Sequence, residues 1–244
     1  MDIFEILDHA KSYAKQKFKI GFVGDGEAFL DFDKLKSYIE YIQDSPFISA
    51  YTITNGTVDL PDADWKFLDD HKIKVGLSVD GYKELHDLNR CNSFDKAMKT
   101  AEHFKVVTGH YPTWNATVGR ESLENGDKVI EFFKPFGTRV TFSRMIGKQG
   151  IPLDAYYEFL LRAEKSGLEV RRGGKDCTMY GGQCGVGINN YFFANGKVYY
   201  CGNCIDLPPV ADSSITFEEL EKKSKNLDFD RNHCYKETFI ARQY

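Results

Sequence analysis

The chain has 244 residues, of which 42% are hydrophobic and 28% charged, with a formal net charge of −4 and an isoelectric point near 5.9. This is the composition of a soluble globular protein: no apolar run approaches the about 20 residues of a membrane span, and the acidic balance argues against general nucleic-acid affinity. A reducing, cytoplasmic setting is the expectation, since nothing in the sequence resembles a secretory signal peptide.

The elements alternate from the start. Residues 2–15 place Ile3, Ile6, Leu7, Ala10 and Tyr13 on one face at helical spacing. FKIGFVG (18–24) reads as a short buried strand, and Phe32, Leu35, Ile39 and Ile42 mark a helix that Ser45-Pro46 stops. ISAYTITNG (48–56) is a second strand, and a helix from about Pro61 turns Trp65 and Leu68 inward. KIKVGLSVDG (72–81) is a third strand, after which Ser93 caps a helix carrying Phe94, Ala97, Met98 and Ala101, with Gly109 just past its end. YPTWNATVG (111–119), a helix around 124–134 and TRVTFSRMIG (138–147) repeat the unit. A helix over roughly 153–166 buries Tyr156, Leu160 and Leu161 and ends at Gly167. Strands alternating with helices of this length predict an α/β fold with a parallel sheet, whose chemistry belongs at the strand C-terminal ends. Those ends read GDGE, TNGT, SVDG, TVGR and SRMIG. A short polar helix is expected over 216–226, and the tail after it carries RNHCY.

Four of the six cysteines fall between Cys177 and Cys204. Six residues separate Cys177 from Cys184, sixteen separate Cys184 from Cys201, and two separate Cys201 from Cys204. Between the middle pair lies YFFANGKVYY, two β-prone arms around Asn195-Gly196, a strong hairpin signal. A hairpin brings Cys184 back towards Cys201, and Cys-x-x-Cys adds a second thiol on one tight turn. Convergent thiolates suit a soft metal, zinc or an iron–sulfur cluster, and Cys234 is a candidate to close the site. Disulfides are the competing reading, but a chain this long can bury a core without them. Cys91, in NRCNS, reads as a small buried residue or an incidental thiol.

Strand ends and cysteines together resemble the radical S-adenosylmethionine (SAM) enzymes with a SPASM or twitch extension, the branch containing sulfatase-maturing and peptide-modifying enzymes. TNGT (54–57) is similar to that family's strand-end segment, SVDGYKELHDLNR (78–90) to its S-x-D-G…H-D-x-x-R, and GDGEAFLDFDKL (24–35) to its G-G-E-P-L-L segment. Cys184, Gly196 and Cys201 fit the C-x(9–15)-G-x(4)-C signature of the extension. The likeness covers roughly residues 18–204. It implies an incomplete (β/α) barrel of the radical SAM type over 1–170 and a small cysteine-rich hairpin and helix extension over 171–244. It also places Glu27, Ser78 and Asp80 where relatives contact SAM or support those contacts. Turn and capping chemistry is the alternative for all three, and His86 and Arg90 are expected to hold the following helix by hydrogen bonds.

The resemblance departs at three points. The C-x(3)-C-x(2)-C loop of the SAM-cleaving cluster has no counterpart among these residues, where the first cysteine is Cys91. Asp25 replaces the first glycine of the GGE segment, and Gly202 stands where sulfatase-maturing relatives carry an Asp after the cysteine. The resemblance therefore implies one auxiliary [4Fe–4S] cluster on Cys177, Cys184, Cys201 and Cys234, with Cys204 the doubtful fifth thiol; a Cys-x-x-Cys pair is the other arrangement found in twitch relatives.

Three functions compete: a cluster-bearing member without SAM cleavage that binds a peptide or protein partner or passes electrons, a piece or subunit of an active radical SAM maturase, and a zinc-stabilised binding module. Under the first, these residues alone form no 5′-deoxyadenosine from SAM. The 18–24 strand, bare on one flank if the barrel lacks its first strand, is expected to be covered by the chain itself, a partner or a second copy.

Overall fold

A computed structural model describes residues 2–14, 17–23, 26–174 and 177–241. Asp25 lies outside the described residues, and with it the expectation placed on the GGE segment. The elements in order are α1 (Ile3–Tyr13), β1 (Phe18–Phe22), α2 (Phe32–Ile42), β2 (Ile48–Thr54), α3 (Asp62–Asp70), β3 (Lys74–Ser78), α4 (Lys83–Asn89), α5 (Phe94–Thr108), β4 (Thr113–Val118), α6 (Arg120–Glu124), α7 (Gly126–Phe133), β5 (Val140–Arg144), α8 (Leu153–Lys165), β6 (Phe192–Ala194), β7 (Lys197–Tyr199), β8 (Ala211–Asp212), α9 (Phe217–Ser224) and α10 (Tyr235–Ala241).

Contacts divide the chain into two compact units. One comprises residues 19–36 and 49–172, and the other residues 1–18, 37–48 and 173–244. Helix α1 and the second half of α2 therefore group with the cysteine-rich region.

In the first unit the strands stand in the order β1-β2-β3-β4-β5. The pairs from β2 to β5 are parallel, in registers such as Ile53↔Gly76, Leu77↔Trp114 and Ala116↔Phe142. Each strand neighbours the next, so every helical crossover advances in one direction and the sheet curls into a half-barrel. After α8 the chain returns to the sheet at one point, where Val140 N–H donates to Glu169 O at 2.9 Å and Arg171 N–H to Val140 O at 2.9 Å. The core runs through Trp114, Phe133, Phe142, Phe159, Leu77 and Val140, all buried. Tyr156 joins it while its hydroxyl donates to Phe142 O at 2.7 Å, so the ring is buried without leaving its polar end unpaired.

Two expectations change here. In α8 the buried positions are Tyr156, Phe159, Leu160 and Ala163, whereas Leu161 is 48% exposed: it falls outside the stripe that a 3.6-residue period turns inward. Ser93 occupies the N-cap of α5 but does not cap it by its side chain. The Phe94 N–H bonds instead to Asp87 Oδ1 at 2.9 Å, because Ser93 Oγ donates to Arg90 O at 2.7 Å. Gly109 ends α5 in the left-handed region, as expected.

The second unit is built from short pieces. Asp2 caps α1 through Phe4 N–H at 3.0 Å, and Tyr13 at its far end donates to Glu221 of α9 at 2.9 Å. Strands β6 and β7 pair antiparallel with Ala194 opposite Lys197, and β8 adds a third strand through Val198↔Ala211. Asn195 and Gly196 both have positive φ, 51° and 76°, the two-residue turn that twists in the sense of its strands. Thr216 and Glu219 close a reciprocal capping box at the start of α9. Among the described residues, no helix is long and apolar enough to cross a membrane.

Candidate functional site

Parallel strands place the segments TNGT, SVDG, TVGR and SRMIG on one edge of the half-barrel, and side chains from these segments tie neighbouring strands together. Glu27 leaves β1 and bridges to β2: its Oε1 accepts from Thr54 Oγ1 at 2.7 Å and from Phe29 N–H at 3.2 Å, and its Oε2 accepts from Asn55 N–H at 2.7 Å. The turn that follows needs glycine: Gly56 has φ 75°, and a Cβ there would meet Leu77 Cδ1 at 2.7 Å and the Ala97 backbone at 2.9 Å.

Asp80 does the same between β3 and β4. Its carboxylate is 1% exposed and takes both arms of Arg90, Nε at 2.8 Å and Nη2 at 2.9 Å. Oδ1 also accepts from Thr117 N–H at 2.8 Å. His86 completes this turn from within. Burial holds its imidazole below the ordinary histidine range, so the ring is neutral. The neutral ring accepts from Asp80 N–H on Nδ1 at 3.4 Å, and its Nε2–H donates to Ser93 Oγ at 3.0 Å. Ser78 is buried at the end of β3, in register with Asn115. The expected hydrogen-bonding role of His86 and Arg90 is what the geometry contains. Glu27 and Asp80 form turn and strand-end bonds at the C-terminal ends of β1 and β3.

The thiols form a second site, wholly within the unit that contains residues 173–244. Cys184, Cys204 and Cys234 are buried, and Cys177 and Cys201 are half-buried. Their positions are fixed mostly by backbone. Cys177 O accepts from Tyr180 and Gly182 N–H, both at 3.2 Å, and Cys184 N–H donates to Arg231 O at 2.7 Å. The Arg231 guanidinium returns to Cys184 O at 2.9 Å and Val186 O at 2.8 Å, joining the segment before the hairpin to the one that carries Cys234. Cys204 N–H closes the Cys-x-x-Cys turn on Cys201 O at 2.9 Å.

The five thiols sense one another. Burial pushes Cys177 up to about 12, and charge on Cys201, Cys234 or Cys184 pushes it further in the same direction. Burial also raises Cys234. The Cys204 S–H donates a hydrogen bond to the Cys201 sulfur, which raises Cys204. That same bond, with Asn203 N–H and the Lys236 ammonium, draws Cys201 below the usual thiol range. Backbone N–H groups point at three of the sulfurs: Met179 at Cys177, Asn203 at Cys201 (3.4 Å), and Lys236 and Glu237 at Cys234. Buried thiols crowded this way resist ionising together unless a cation shares their space, and N–H donors aimed at sulfur suit the thiolate form. This donor set fits an iron–sulfur cluster. Among the described residues, no three His, Cys, Asp or Glu side chains converge on a point that would hold one metal ion. A cubane takes one thiolate per iron and needs its ligands around a cage, a looser demand than the tetrahedral convergence of zinc.

Cys91 is the exception among the cysteines. It is exposed, at φ 50° beside Asn92 at φ 55°, in the turn after α4. It is an incidental thiol, and the burial alternative is not realised. Three features of the cysteine-rich unit escaped the sequence reading: β8, α10, and the Arg231 bridge. A two-residue strand has no periodicity to detect, and the bridge spans residues 47 apart in the chain.

The first unit has the fold of the radical SAM enzymes, a curled parallel half-barrel of five strands. The chain's homologues are anaerobic sulfatase-maturating enzymes, so the resemblance to the sulfatase-maturing and peptide-modifying branch holds. A cysteine-type anaerobic sulfatase-maturating enzyme from Clostridium perfringens is 39% identical over 87 residues, 33% of this chain and 23% of the relative. One from Clostridium novyi is 29% identical over 141 residues, 53% of this chain and 36% of the relative. The matched stretches thus span about a quarter to a third of those relatives. A solved structure, native anSMEcpe with bound AdoMet and Cp18Cys peptide, superposes with a TM-score of 0.65 at 22% identity, covering 94% of this chain and 72% of that one. No protein-family model matches the chain.

Proposed function

We propose that the cysteine-rich unit holds one [4Fe–4S] cluster and that the chain engages a peptide or protein partner within a radical SAM-type maturation system. The observation that carries this reading is the gathering of five thiols in one unit, three of them met by backbone N–H donors. Cys177, Cys184, Cys201 and Cys234 are the proposed holders. Cys204 is the fifth thiol, bonded to Cys201 and lining an apolar cavity of about 170 Å³ with Tyr199, Leu207, Pro208, Tyr235 and Phe239. Bound there, such a cluster supplies a one-electron redox centre whose potential depends on the hydrogen bonds around its sulfurs. The chain's own residues do the rest: Arg231 fixes the Cys184 segment, and Met179, Asn203, Lys236 and Glu237 present N–H groups to thiolates.

The peptide part of the reading draws support from the like-folded structure that contains AdoMet and a peptide. Glu27, Ser78 and Asp80 are the proposed SAM-facing residues, with Glu27 and Asp80 shaping strand ends and Ser78 lying beside them. These 244 residues contain no C-x(3)-C-x(2)-C, so reductive SAM cleavage is not assigned to them. A second polypeptide, or a second copy, is the proposed cover for the flank of β1, the terminal strand of the sheet. Sedimentation and hydrogen exchange over residues 18–23 test that cover. A strict monomer whose 18–23 amides exchange as fast as a loop removes it.

The test of the cluster is anaerobic preparation followed by iron and sulfide analysis and an absorption spectrum. About four irons and four sulfides per chain are expected for one cubane. Stoichiometric zinc without iron would replace this reading with the zinc-stabilised module.

A further inference from the structure

Thr178 is 2% exposed, yet its hydroxyl has no hydrogen-bond partner among the described residues. It follows Cys177 directly and opens the short 3-10 turn Thr178–Tyr180, whose Met179 N–H points at the Cys177 sulfur. Its carbonyl is engaged, with Thr178 O accepting from Gly181 N–H at 3.1 Å. A buried threonine in a turn ordinarily bonds a nearby carbonyl, and valine has the same shape without the polar atom. A buried hydroxyl without an acceptor, one residue from a thiol in the five-thiol site, indicates an acceptor supplied from outside the polypeptide.

We propose that the Thr178 hydroxyl donates a hydrogen bond to an inorganic sulfide of the bound cluster. The inference rests on the reading that the thiols hold an iron–sulfur cluster. Reduction adds negative charge to the cluster and spreads it over the sulfurs. A donor aimed at one of them stabilises the reduced form more than the oxidised form and holds the potential up. Thr178 is thus a positioning residue that tunes the site and ligates nothing.

The experiment compares the wild-type chain with Thr178→Val, Thr178→Ala and Thr178→Ser, each reconstituted anaerobically with iron and sulfide. Each is titrated electrochemically with its reduced cluster followed by electron paramagnetic resonance. With full iron content in every sample, Thr178→Val and Thr178→Ala are expected to lower the reduced-to-oxidised ratio at a fixed potential about tenfold. For one electron that is a shift of about 59 mV to more negative potential. Thr178→Ser retains the hydroxyl and is expected to stay near the wild type.

Cluster loss from both apolar variants, with retention in Thr178→Ser, also supports the bond. Unchanged potentials in the apolar variants, an equal shift in Thr178→Ser, or cluster loss in all three variants overturns it. A wild-type chain that takes up zinc alone, or no metal, overturns the cluster reading itself and the Thr178 proposal with it. The metal analysis of the wild type therefore separates the two failures.

Discussion

Replacing Cys184 with alanine is expected to leave the reconstituted chain with close to no iron and to loosen the region from 177 to 234. The elements there are short: β6 and β7 have three residues each and β8 has two. Between 177 and 234 the buried aliphatic side chains are Val186, Val198 and Leu220. A segment with so little core depends on cross-links for its order, and a structural metal site contributes its binding energy to folding. Removing one of four ligands therefore costs both cluster and local structure. Cys201→Ala is expected to do the same. Cys91→Ala, at an exposed turn outside this unit, is the control and should keep its iron. Iron and sulfide per chain, with hydrogen exchange over 177–234, provide the readout. A Cys184→Ala chain carrying a full cubane and wild-type protection would remove Cys184 from the site.

Asp80→Ala is expected to destabilise the half-barrel by about 3 kcal/mol, the low end of what breaking a buried ion pair costs. The carboxylate is 1% exposed and supports three hydrogen bonds, two from Arg90 and one from Thr117 N–H. Its removal strands a guanidinium and a backbone donor at once. The Arg90 side chain is 28% exposed, so water recovers part of its charge, which is why the upper end of the range does not apply. For a chain of this size the loss corresponds to a fall of about 6–12 °C in Tm. Asp80→Asn keeps an acceptor for Thr117 and should fall between the alanine variant and the wild type. Thermal unfolding of the three proteins measures this. A change below about 1 kcal/mol would mean the pair is solvated in the working protein and that Asp80 does not organise the β3–β4 edge.

The same two residue groups show how far the sequence carries. Alternating strand and helix periods set the α/β class, the five strands and most helix limits, because one buried face imposes its period on local sequence. Asn195-Gly196 fixed the hairpin for an equally local reason, since few residue pairs accept two consecutive positive φ angles. The grouping of cysteines was legible from spacing and from the family signature.

What the sequence left open was decided over long separations. Glu27 reaches Thr54 and Asn55, and Asp80 reaches Thr117, across strand neighbours that only the closed sheet creates. Arg231 fixes Cys184 from 47 positions away. Helix α1 joins the cysteine-rich unit through Tyr13 and Glu221, 208 residues apart, although its amphipathic pattern says only that one face is covered. Asp87, not Ser93, accepts the Phe94 N–H at the start of α5, while the Ser93 hydroxyl is bonded to Arg90 O. Local pattern determines which elements form, through their period and turn chemistry. Which partner satisfies each buried polar group depends on what tertiary packing brings within reach, and that decided the bonds at the strand ends and around the Cys184 backbone.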